Sequence, residues 1–147
     1  MSQRFTAPVA VHLFLLRGEE ILLLRRFNTG YEDGNYSVVA GHLDGGESVL
    51  EAMCREAREE AGIELELAAT AIAGVMHRYA PGNERIDFFL TATAWSGEVC
   101  NLEPGKCDDL RWFPVDELPS NTIPYVASAI SAWRAGAWFS AFGWDAA

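Results

Sequence analysis

The chain is poor in positive charge. Eleven lysines and arginines face 21 aspartates and glutamates, leaving a formal net charge of −10 over 147 residues. Nonspecific binding to nucleic acid needs a basic footprint, so nucleic acid is not an expected partner. An anionic small molecule would also approach against the overall field, unless a metal ion and local arginines neutralise its pocket. Cysteine is scarce too. Cys54, Cys100 and Cys107 show no CxxC spacing, which excludes a disulfide framework or thiolate zinc site and points to a reduced, cytoplasmic setting. The apolar run Val9 to Leu16 is too short to span a bilayer and is interrupted by His12, so no membrane partner is expected. It also lacks a small-residue cleavage site, and no signal peptide is expected. With no internal repeat, low-complexity segment or linker, residues 1–147 read as one domain able to bury a single core.

What the chain does hold is apolar and aromatic: half the residues are hydrophobic, with five Trp, four Tyr and eight Phe. Val9 to Leu16 is β-branched and aromatic, which fits a strand buried on both faces. Gly18-Glu19-Glu20 makes a turn, and Ile21 to Arg26 returns as a hairpin. His12 reads as a satisfied polar residue in or beside the core. Phe27 to Asn35 is irregular, and Tyr36 to Ala40 leads out of it. Further on, Ile63 to Leu67 reads as a short strand. Thr70 to Tyr79 and Arg85 to Ala94 form a second hairpin around Ala80-Pro81-Gly82-Asn83, with His77, Arg78, Tyr79 and Arg85 near its tip. Leu110 to Phe113 is a short strand, and Ile123 to Ala135 the last helix.

The stretch Gly41 to Ile63, GHLDGGESVLEAMCREAREEAGI, organises the rest. A glycine-rich loop runs into a helix with Ser48 as N-cap and Glu51 three residues on, the outer letters of a capping box. Gly62 stops the helix where a left-handed backbone is wanted. On a helical wheel Leu50, Cys54, Ala57 and Ala61 form the apolar stripe, and Glu51 and Arg55 are spaced for an ion pair. Glu56, Glu59 and Glu60 converge on another face. Three like charges on one face repel, and a hard divalent cation with oxygen ligands, Mg²⁺ or Mn²⁺, would relieve them.

Spacing sharpens this. Gly41, five residues, Glu47, seven residues, Arg55-Glu56-Ala57, one residue, Glu59-Glu60, one residue and Gly62-Ile63 resemble the signature box of the Nudix hydrolases. Chance agreement at so many fixed positions is on the order of 10⁻⁸ per starting point. The resemblance covers about residues 8–135 and implies an α/β/α sandwich with a mixed sheet. It implies metal-dependent hydrolysis of a nucleoside diphosphate derivative, with Glu56, Glu59, Glu60 and the Gly41 carbonyl as metal ligands. Arg55 would orient the glutamates, and Glu47 and Gly62 would hold the loop and helix geometry. A general base would be Glu56 or an acid of the later loop; among Glu103, Asp108 and Asp109, Asp108 is preferred for its distance from Trp112. Arg26, Asn28, Tyr36, Tyr79 and Arg85 are candidates for substrate contact, with Tyr31 beside them.

In the family, a residue about sixteen past the position of Ile63 has been read as a substrate marker, proline for ADP-ribose and tyrosine for dinucleoside polyphosphates; Tyr79 lies sixteen past and Pro81 eighteen past, so neither form fits cleanly. The short chain resembles MutT-like enzymes that release a nucleoside monophosphate and pyrophosphate from a triphosphate. ADP-ribose, nucleotide sugars and dinucleoside polyphosphates remain alternatives, as does a noncatalytic nucleotide sensor. Isoprenoid diphosphate isomerisation lacks a cysteine motif. The tail WFSAFGWDAA either folds back on the domain or makes a homodimer contact.

Overall fold

The structure is a computed structural model that describes residues 3–144. Its elements run β1 (Val9–Arg17), β2 (Glu20–Arg26), β3 (Tyr36–Ser37), β4 (Val39–His42), α1 (Val49–Ala61), β5 (Glu64–Leu65), a 3-10 turn (Leu67–Ala69), β6 (Thr70–Ala80), β7 (Asn83–Ala92), β8 (Trp95–Ser96), β9 (Cys107–Pro114), α2 (Pro124–Arg134) and β10 (Phe139–Phe142). The hub is β1. It pairs in parallel with β7 and antiparallel with β4, while its last residues, Leu16 and Arg17, turn into β2. Only the turn end of that first hairpin is paired; beyond it β2 bonds instead to β3 and along its whole length to β9. β6 and β7 form the second hairpin, and β10 adds in parallel to the free edge of β6.

Alternation along β1 divides the core between two helices. Val11, Leu13 and Leu15 pack with Ala52, Met53, Ala57 and Ala61 of α1. Phe14 packs on the other side with Met76, Phe89, Val126 and Ile130, under α2. This is the expected sandwich with a mixed sheet. β1 is buried on both faces because each face carries a helix.

Several expectations are corrected. On α1 the buried positions are Ala52, Met53, Glu56, Ala57 and Ala61, whereas Leu50 is exposed and Cys54 only half-buried. Small alanines let the helix approach the sheet closely, and the carboxylate of Glu56 goes inward with them. The Glu51–Arg55 pair does not form. Glu51 instead accepts from the Ser48 backbone N–H (2.8 Å) and completes the capping box, leaving Arg55 free to reach other acids. The strand expected over Leu110 to Phe113 extends to Cys107–Pro114, because β2 offers a partner along that whole length. The tail takes the first of its two expected courses and folds back: β10 lies on β6, and Trp144 stacks on Tyr79 and meets the His77 ring at a tilt (57°), with its indole N–H donating to the His77 carbonyl (2.9 Å). Asp145 to Ala147 lie outside the described residues.

Candidate active site

A cleft of about 550 Å³ opens where the end of β4 meets α1, β2 and the tip of the β6–β7 hairpin. Gly41 and Glu56 define its acidic end. A Cβ on Gly41 would lie 2.1 Å from the Glu56 carboxyl carbon, so the side chain of the helix rests directly on the backbone of the strand. Glycine is required there for space. Glu60, one helical turn on, also faces the cleft, and its carboxylate lies 3.4 Å from the Ala40 N–H. Burial and the adjoining Glu56 carboxylate push Glu60 up to about 9. Glu103, from the loop before β9, lines the cleft beside them and raises Glu60 further.

Arg55 braces this end from behind. It donates to both oxygens of Glu47 (2.7 and 3.2 Å), to Glu56 (2.8 Å), to Glu59 (3.4 Å) and to the His42 carbonyl (3.2 Å). Its hydrogen bond holds Glu47 below the usual carboxylate range. Glu47 therefore ties the glycine-rich loop to the helix through Arg55. Glu59 is about half exposed and stands outside the cleft lining.

The floor of the cleft is a buried polar network. The side chain of His12 points its Nδ1 at the Phe88 carbonyl (3.3 Å) and its Nε2 at the Tyr125 hydroxyl (3.0 Å). A carbonyl only accepts, so Nδ1 carries the proton and the Tyr125 O–H donates to Nε2. Desolvation lowers His12 to about 4. Arg78 lies over the Tyr125 ring (3.5 Å to the centroid) and forks onto the fully buried Asp87 (2.7 and 3.2 Å). The remaining walls carry Arg26, Thr29, Tyr31, His42, Arg85 and Lys106. Arg26 holds its own loop in place: it donates to the Tyr31 carbonyl (2.6 Å) and Thr29 Oγ1 (3.0 Å) and lies 5.2 Å from the Tyr31 ring centre.

Of the residues singled out in the sequence, Gly41, Glu56, Glu60, Arg26 and Arg85 come together in this cleft. Arg55, Glu47 and Gly62 sit behind it, Gly62 in the left-handed conformation that ends α1. Four others are placed elsewhere. Asp108 lies on β9, bonded to Arg25 (2.7 Å) and outside the cleft, because the strand begins before it rather than after it. Tyr36 is a core residue whose hydroxyl bonds Asp109. Asn28 is an exposed turn residue (φ 55°). Tyr79 is stacked under Trp144 (4.7 Å between ring centres). His12, His42 and Tyr125 also line the cleft. No local pattern in the sequence marks Tyr125, which α2 delivers from 113 positions beyond His12.

The donor chemistry at the acidic end fits a hard divalent cation. Two clustered carboxylates, one of them pushed upward by burial and by the other, are the arrangement that such an ion relieves. Among the described residues no three His, Cys, Asp or Glu side chains form a closed ligand cage. A magnesium site that keeps waters and substrate oxygens needs none.

The family model described as NUDIX domain matches residues 6–133. The chain belongs to the Nudix family. Among solved structures, the MutT NUDIX hydrolase from Burkholderia pseudomallei superimposes with a TM-score of 0.79 at 30% identity, covering 86% of this chain and 98% of that one. A NUDIX hydrolase from Nitrosomonas europaea gives a TM-score of 0.76 at 23% identity over 91% and 93% of the two chains, a likeness of fold. The curated NAD-capped RNA hydrolase NudC of Pseudomonas aeruginosa strain LESB58 is 35% identical over 107 residues, 73% of this chain and 36% of its own length. The chain thus spans little more than a third of the curated relatives it matches. Both the family and the fold expected from the box are met by these likenesses. No helix among the described residues is long and apolar enough to cross a membrane.

Proposed function

We propose that the protein is a metal-dependent hydrolase of the diphosphate bond in a nucleoside diphosphate derivative, with a nucleoside triphosphate as substrate and a monophosphate and pyrophosphate as products. The observation that carries this reading is the seating of Glu56 on Gly41, with Glu60 and Glu103 beside it, in a cleft whose walls also carry arginine, histidine and tyrosine. Glu56, Glu59 and Glu60, with the Gly41 backbone, would hold Mg²⁺ or Mn²⁺. When bound, the ion supplies charge neutralisation at phosphoryl oxygens and favours ionisation of a water. In the reaction, a water oxygen bonds to one phosphorus while the bond from that phosphorus to the bridging oxygen breaks, the electron pair leaving with the second phosphate. The water's proton passes to a carboxylate, Glu56 or Glu103. Glu103 takes the place first given to Asp108, since it is the acid of that loop that lines the cleft.

A second reading is favoured by the curated relatives, which are named NAD-capped RNA hydrolases. An NAD-type dinucleotide, free or on RNA, also carries a diphosphate link. The expectation of no nucleic-acid partner stands only on the net charge of −10 and is set against that name. A screen of nucleoside triphosphates, ADP-ribose, nucleotide sugars, dinucleoside polyphosphates and NAD⁺, each with Mg²⁺ or Mn²⁺, separates the readings. Monophosphate and pyrophosphate from triphosphates support the first. Selective release of two monophosphates from NAD⁺ supports the second, and binding without product would make the domain a sensor.

A further inference from the structure

Two arginines on the cleft wall stand directly opposite each other, Arg78 on β6 and Arg85 on β7. Opposed residues of an antiparallel pair have Cβ atoms about 4.5–5.5 Å apart, and like charges there are destabilising. Only one of the two is neutralised. Arg78 gives Nε and Nη2 to the buried Asp87 and lies against Tyr125, so its fork is fixed. Arg85 has no carboxylate within ion-pair distance among the described residues. Its Nη2 donates to Asn83 Oδ1 (2.6 Å), its Nη1 lies 3.5 Å from His42 Nε2, and its Nε is buried with no acceptor. A charged donor buried without an acceptor is costly, and the exposed Nη atoms of the same guanidinium leave a place for an anion in the cleft. His42 joins this place to the acidic end. Its carbonyl accepts from Arg55 (3.2 Å), and its ring touches Arg85 one residue beyond Gly41.

We propose that Arg85, backed by Arg78, is a subsite for the terminal phosphate of a nucleoside triphosphate, and that it selects triphosphates over diphosphates closed by a sugar or a second nucleoside. This rests on the hydrolase reading above. A terminal phosphate presents two negative charges and three acceptor oxygens to a guanidinium fork. A diphosphate esterified at both ends presents no such group, so Arg85 gains less from it.

The test compares ATP with ADP-ribose, which share the adenosine diphosphate part, in the wild type, Arg85→Gln and Asn83→Ala, with Mg²⁺. Asn83→Ala only frees the brace on Arg85 and covers the case in which Arg85→Gln does not fold. Arg85→Gln is expected to raise KM for ATP by about tenfold or more and KM for ADP-ribose by less than about twofold. Asn83→Ala shifts KM for ATP in the same direction by a smaller factor. Calorimetric titration of inorganic tripolyphosphate without metal should show binding to the wild type and about tenfold weaker binding to Arg85→Gln. Equal effects on both substrates, with tripolyphosphate binding unchanged, overturn the subsite and leave the hydrolase reading intact. Tripolyphosphate binding through Arg85 in a protein that cleaves neither substrate overturns the hydrolase reading and supports an anion site there.

Discussion

Gly41 is not in the left-handed region of backbone space; what demands glycine there is the Glu56 carboxylate resting on it. Gly41→Ala should therefore displace Glu56 without disturbing β4 pairing. Hydrolysis is expected to fall by roughly two orders of magnitude or more while circular dichroism and melting stay near wild type, the loss of one positioned charged group. An active, well-folded Gly41→Ala would mean that Glu56 does not need that seat. His12 acts through stability. Its pKa of about 4 in the fold lies below its ordinary value of 6.5, so the unfolded chain binds the extra proton between those two values. Its neutral state contributes stability above pH 6.5, and that contribution is lost as pH falls towards 4, up to about 3 kcal/mol. In urea titrations the advantage of the wild type over His12→Gln should shrink across that window. An advantage that stays constant from pH 7.5 to 4.5 would contradict the buried neutral state. The sequence marked His12 only as a satisfied polar residue, because Tyr125 and Phe88, its partners, come from distant elements.

At the scale of elements, α1 was readable where its chemistry is local. Ser48, Glu51 and Gly62 cap the helix as their spacing implies, since each bond joins residues within one turn. Ser48→Ala should cost about 1 kcal/mol in thermal or chemical unfolding, with the helix retained. Which face of α1 is buried was not readable. A wheel gives relative phases only, and Gly41, fifteen residues before Glu56, decides that the glutamate turns inward and Leu50 outward. The same limit explains Asp108 and Glu103. Their positions depend on where β9 starts to pair with β2, at Cys107, and that register is set by a strand more than 80 residues earlier. The tail was legible as a choice between folding back and self-association. Its parallel pairing to β6 follows from an edge strand that only the assembled sheet presents.

At the scale of the whole molecule, charge is distributed against its average. A chain of net charge −10 concentrates Arg26, Arg78, Arg85 and Lys106 around one cleft and keeps its clustered glutamates at one end of it. Composition alone suggested that an anion would be repelled unless a metal ion and local arginines neutralise its pocket. The box at Gly41 to Ile63 pointed to the Nudix family, and the fold brings cations to the same cleft from β2, β6, β7 and the loop before β9. The central claim is that Glu60 and its neighbours at the acidic end carry diphosphate hydrolysis. The measurement that tests it most directly is steady-state product release from a nucleoside triphosphate at saturating Mg²⁺, by the wild type and by Glu60→Gln. The account predicts monophosphate and pyrophosphate from the wild type and a rate lower by about three orders of magnitude from the folded variant. Near-wild-type turnover by Glu60→Gln would contradict it.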